Sequence, residues 1–88
     1  MSDHRVAIRA KYDGRADVLY VTLGDGRPDR YVEDGDGLVW RYNADGVVYG
    51  VTVMDYHHIW SERRSALVTL ISDQLHVAPP LILHALKQ

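Results

Sequence analysis

Cysteine is absent from the 88 residues, so the chain has no disulfide framework, and thiolate nucleophiles and thiolate metal sites are excluded. The absence suits a reducing cytoplasm. No apolar run approaches the roughly 20 residues that a membrane helix requires. Met1-Ser2-Asp3-His4-Arg5 leads into an alternating segment, not into the apolar stretch of a signal peptide. The expectation is a cytoplasmic protein with no membrane association. Basic runs are scarce as well: the net charge is −2, and Arg63-Arg64, preceded by Glu62, is the one adjacent basic pair. Nucleic-acid binders usually carry a basic stripe that neutralises phosphates. The sequence therefore reads against a nucleic-acid partner, the residual DNA reading being a dimer that doubles Arg63 and Arg64.

What is present is an ordinary globular composition, 47% hydrophobic and 25% charged, which argues against disorder. A chain of this length makes one domain, residues 1–88, with a thin core that buries roughly 60–65% of the unfolded surface. Val6, Ile8, Ala10 and Tyr12 alternate with Arg9 and Lys11, as in a half-buried strand. Asp13-Gly14 suits a tight turn. Asp17-Val18-Leu19-Tyr20-Val21-Thr22-Leu23 is apolar on both faces, which places that strand centrally.

Gly24-Asp25-Gly26-Arg27-Pro28 reads as a loop and Arg30 to Glu33 as a short edge strand. After the Asp34-Gly35-Asp36-Gly37 turn, Leu38 to Tyr42 alternates again. Asn43-Ala44-Asp45-Gly46 is a hairpin loop with Gly46 at a left-handed position. Val47 to Met54 is the last strand, and Gly50 within it marks a bulge or a close backbone approach. Because every connection is short, strands adjacent in sequence are expected to be adjacent in the sheet.

Beyond Asp55 the period changes. Ser61 is a candidate helix cap, with Glu62 in the first turn. Leu67, Leu70, Ile71 and Leu75 share one face at a 3.6 period; Ala66 to Ile71 also reads as a strand, the helix being preferred. Ala78-Pro79-Pro80 stops that helix, and Leu81 to Leu86 forms a second short one, proline being tolerated at a first helical position. The fold class is thus α+β: a small antiparallel β-meander of four to five strands over residues 6–55, followed by one or two C-terminal helices over 61–87.

Tyr12-Asp13, Ala16-Asp17-Val18-Leu19-Tyr20-Val21-Thr22-Leu23, Asp45-Gly46-Val47-Val48-Tyr49-Gly50-Val51 and Met54-Asp55 together resemble the YuzE-like proteins, domain of unknown function 2283. The resemblance spans Val6 to Asp55. It implies a small meander with a helix across it and brings no catalytic residues. Some such proteins look like antitoxin partners of small toxins, by association. The segment from Tyr56 onward departs from the short family ending.

Asp55, His57 and His58 are the best local constellation for chemistry: a carboxylate and two imidazoles suit Zn²⁺ or Ni²⁺, with His76 or His84 completing the shell across a dimer. Against it, adjacent histidines on a strand end point to different sides. Asp34-Gly35-Asp36-Gly37 lacks the third acid and the closing glutamate of a calcium loop. Gly24-Asp25-Gly26 lacks the lysine and helix of a phosphate loop. Asp17 reads as a general base or, by preference, as an acceptor for N–H groups of the Asp13-Gly14 turn. Ser61 and Ser65 have no strand-to-helix elbow. Tyr12, Tyr20, Trp40, Tyr42 and Tyr49 read as sheet packing instead of a stacking platform, aromatic pairs across strands being normal sheet stabilisers.

No catalytic residue and no cofactor is assigned. The functional expectation is a non-catalytic interaction module acting as a homodimer, in its sharpest form an antitoxin-like partner of a co-encoded protein. The apolar tail supplies the binding residues: Trp60, Leu67, Leu70, Ile71, Leu81, Ile82 and Leu86. The alternative is a metal- or small-ligand-binding protein using Asp55, His57 and His58.

Overall fold

The computed structural model describes residues 8–24 and 29–87. Val6 and Ala7 of the first alternating segment, and Asp25 to Pro28 of the following loop, lie outside the described residues. Among the described residues five strands, β1 (Ile8–Asp13), β2 (Val18–Leu23), β3 (Arg30–Glu33), β4 (Leu38–Tyr42) and β5 (Val48–Met54), are followed by a π-helical turn (Tyr56–Trp60) and two helices, α1 (Arg64–Leu75) and α2 (Pro79–Leu86). The α+β class and the antiparallel sheet with C-terminal helices are as the residue pattern implied.

The strand order is β1-β2-β5-β4-β3, with every pair antiparallel. β3, β4 and β5 run as a meander, but the β1–β2 hairpin joins it along β5 instead of β3. Burial explains the exchange. β5 is buried from Val48 to Val53 and β2 is apolar on both faces, so these two meet at the centre, with Leu19 opposite Val53 and Val21 opposite Val51. β3 is exposed along its whole length and takes the edge. The linking residues 24–29 need only pass three strand spacings, about 14 Å, and six residues reach about 20 Å. A short connection therefore does not enforce adjacency.

Turn carboxylates and amides fix the corners. Asp34 accepts the N–H groups of Asp36 (2.8 Å) and Leu38 (3.1 Å) and the indole N–H of Trp40 (2.9 Å). Burial pushes its carboxyl up, but these donors outweigh burial and hold it below its ordinary value. The Asn43 side-chain oxygen accepts from Asp45 and Val47, and Gly46 adopts φ 78°. Gly50 meets both halves of its expectation. The β4–β5 register slips beside it between Arg41 and Tyr42, and a Cβ there would lie 2.9 Å from the Val21 carbonyl oxygen.

Both helices lie on one face of the sheet, α2 against β1 and α1 against β5. Their buried residues, Leu67, Val68, Ile71, Leu75 and Ile82, join Leu19, Val21, Leu38, Trp40, Val51, Val53 and Trp60 in one cluster. The helix was the correct reading of Ala66 to Ile71. Its cap is not Ser61: Arg63 precedes α1 with no side-chain cap bond, and Ser61 closes the Tyr56–Trp60 π-turn two residues before that position. α2 starts with Pro79 and Pro80 in its first two positions.

Candidate functional site

Asp17 and the backbone of His57 and His58 meet at the corner where the β1–β2 turn touches the π-turn after β5. Asp13 folds the turn, its carboxylate accepting the N–H groups of Arg15 (3.1 Å) and Ala16 (3.4 Å). Asp17 was expected to do this and does not. With φ 55° its backbone turns left-handed, and its side chain leaves the hairpin. The carboxylate accepts the Tyr12 hydroxyl at 2.6 Å, the His57 N–H at 2.8 Å and the His58 N–H at 3.1 Å. The Asp17 carbonyl accepts the Tyr56 N–H at 3.0 Å. One residue thus supplies acceptors to three successive N–H groups at the start of the π-turn, which have no partner inside that turn. Tyr56 packs edge-on against Tyr12, ring centroids 5.7 Å apart.

The electrostatics follow from these bonds. The Tyr12 hydroxyl and the His57 N–H hold the Asp17 carboxyl below its ordinary value, and the same bond to Asp17 pushes the Tyr12 phenol up. A general base operating near neutrality needs the opposite displacement. Asp17 is a structural pin: each oxygen is engaged by donors, and its role is to join residues 40 positions apart. The cavity behind it, lined by Ala10, Tyr12, Leu19, Tyr56, Arg64, Ala85 and Leu86, measures 150 Å³, below the roughly 300 Å³ at which ligand pockets begin.

The proposed ligand set fares no better. Asp55 turns left-handed at φ 53° to enter the π-turn, and the His57 and His58 side chains are exposed. Among the described residues no three His, Asp or Glu side chains come together to hold a metal ion, so Asp55, His57 and His58 do not converge. His76 ends α1 in a left-handed conformation, and His84 lies exposed on α2.

The tail residues divide between core and surface. Trp60, Leu67, Ile71 and Ile82 are fully buried, so they are unavailable to a partner of the folded chain, contrary to their reading as contact residues. The sheet has more capacity than its thinness suggested, because one whole face takes up both helices. Trp60 is buried with its indole N–H unpartnered among the described residues, and the Arg63 guanidinium lies 4.8 Å from its ring centroid. Leu86 is half-buried against the core. Leu70 and Leu81 are exposed, and so is Leu83, which had not been singled out. Leu70 faces outward although it shares the expected face with Leu67 and Ile71, and Val68 packs inward. An apolar groove of 390 Å³ runs between the helices, lined by Arg64, Ser65, Val68, Thr69, Pro79 and Leu83.

The profile of the family described as protein of unknown function (DUF2283) fits residues 9–56, more than half of the chain, and the chain belongs to that family. The matched region is the sheet and the first residue of the π-turn. No curated protein and no solved structure matches. Among the residues that carry the family likeness, Tyr12 and Asp17 form the pin, Asp13 is a turn acceptor and Gly50 makes a close approach.

Proposed function

We propose that the chain is a non-catalytic interaction module that works as a homodimer, joined through the groove between α1 and α2. The observation that carries this reading is the apolar floor of that groove, where Val68, Pro79 and the exposed Leu83 lie together. At 100° per residue, Pro79 and Leu83 share a flank of α2, and Leu81 falls on the opposite one. The groove flank is bordered by Ser65, Thr69 and Arg64, a polar rim around an apolar centre of the kind found in interfaces. A second copy fits it best. In a two-fold pair each Leu83 meets the groove of the other chain, and one patch serves both sides.

Sedimentation velocity tests this directly. The reading predicts a dimer for the native chain, a monomer for Leu83→Glu, and a dimer for Leu81→Glu on the other flank. A native chain that sediments as a monomer throughout, or a Leu83→Glu variant that still dimerises, would overturn it.

A further inference from the structure

The sheet face opposite the helices has a different chemistry. Cross-strand register places Arg9, Thr22, Gly50, Arg41 and Tyr31 in one row and Lys11, Tyr20, Thr52, Val39 and Glu33 in the next. The Arg41 guanidinium lies 5.7 Å from the ring centroids of both Tyr20 and Tyr31 and gives one N–H to the Thr52 hydroxyl at 3.0 Å. A guanidinium has five N–H donors, and no carboxylate of the described residues pairs with this one. Tyr31 is 58% exposed, so its ring has surface to offer beyond the Arg41 contact. Gly50 carries no side chain, which keeps the row low between Thr22 and Arg41.

Tyr20 also lines an open depression of 830 Å³ with Lys11, Tyr12, Asp13, Gly14 and Arg15. Two cations therefore stand on the far side of Tyr20 from Arg41. The one acid among them, Asp13, is occupied by the N–H groups of Arg15 and Ala16. Cations and phenol rings thus alternate from β1 to the Arg41–Tyr31 pair, with Glu33 one row away at the β3 edge, an order that runs perpendicular to the strands.

From this we infer that the helix-free face binds single-stranded nucleic acid, with Lys11, Arg15 and Arg41 on phosphates and Tyr31 and Tyr20 beneath bases. The cations complement a polyanion, and the rings require unpaired bases, since only those expose a face for stacking. Duplex DNA does not suit the site, because a broad sheet face enters neither groove.

The test is fluorescence anisotropy of a labelled oligothymidylate of about 15 nucleotides at low salt, with inorganic polyphosphate as the base-free competitor. Single-strand contacts contribute about −0.7 each to the slope of log K against log salt, so two to three give about −1.4 to −2.1. Lys11→Glu and Arg41→Gln should each flatten that slope and weaken binding. Tyr31→Ala should weaken oligonucleotide binding roughly five- to hundred-fold and leave polyphosphate binding unchanged. Lys11 is exposed on β1, so its variant keeps the test decisive even if Arg41→Gln fails to fold. Absence of saturable binding overturns the inference. So does binding that Lys11→Glu leaves intact, or a Tyr31→Ala variant that binds the oligonucleotide like the native chain.

Discussion

Asp17 and Gly50 show how single residues hold this small sheet together. Asp17 is left-handed and gathers a phenol and two N–H groups on one carboxylate. Asparagine tolerates the same backbone, so Asp17→Asn isolates the charge and the second acceptor oxygen. Because the folded carboxyl titrates below its ordinary value, its stabilisation is complete above the unfolded value of about 3.9 and is lost as pH falls through the folded one. Thermal melts from neutral to acid pH should show the native chain losing stability in that window. Asp17→Asn should start lower at neutral pH and fall less steeply. Tyr12 has the opposite sign: its phenol is raised, so its share is present below about pH 10 and lost above the folded value. At Gly50, a methyl group would collide with the Val21 carbonyl; Gly50→Ala should cost about 1–3 kcal/mol in chemical denaturation.

Elements were legible where they repeat a local period. The alternation of Ile8 to Asp13, the apolar run of Val18 to Leu23 and the turn chemistry at Asp34 and Asn43 each state their structure within a few residues. What was hidden depends on distant partners. The order of β2 beside β5 follows from matching the two most buried strands, and the donors on Asp17 come from residues 40 and 41 positions away. The π-turn has no period of its own, and it takes up Ser61, so that the cap of α1 falls at Arg63. Which tail residues face inward was half legible: Leu67, Ile71 and Ile82 are buried, but as core, not as contact surface. Leu67→Ala or Ile82→Ala should therefore cost about 2–5 kcal/mol, and Leu70→Ala on the exposed side of α1 within about 0.5 kcal/mol. Equal costs at Leu67 and Leu70 in urea unfolding would contradict this assignment of the α1 face.

At the scale of the molecule, a two-layer build separates two surfaces. One layer is the sheet, whose outer face carries cations and phenol rings; the other is the helix pair, whose groove is apolar. The family match covers the sheet and stops where the helices begin, so the groove belongs to the part of this chain outside the matched segment. Neither surface could be read along the sequence, since the groove pairs residues 11 to 19 positions apart, from Val68 to Pro79 and from Arg64 to Leu83, and the basic-aromatic rows cross strands.

Association through the groove is the central claim, and it ties stability to concentration, because a partner that binds only the folded state raises its melting temperature by mass action. Melting the native chain and Leu83→Glu from about 1 to about 100 µM measures this directly. The dimer predicts a melting temperature that climbs with concentration for the native chain and stays level for Leu83→Glu. A native melting temperature independent of concentration, or the same climb in both proteins, would contradict it.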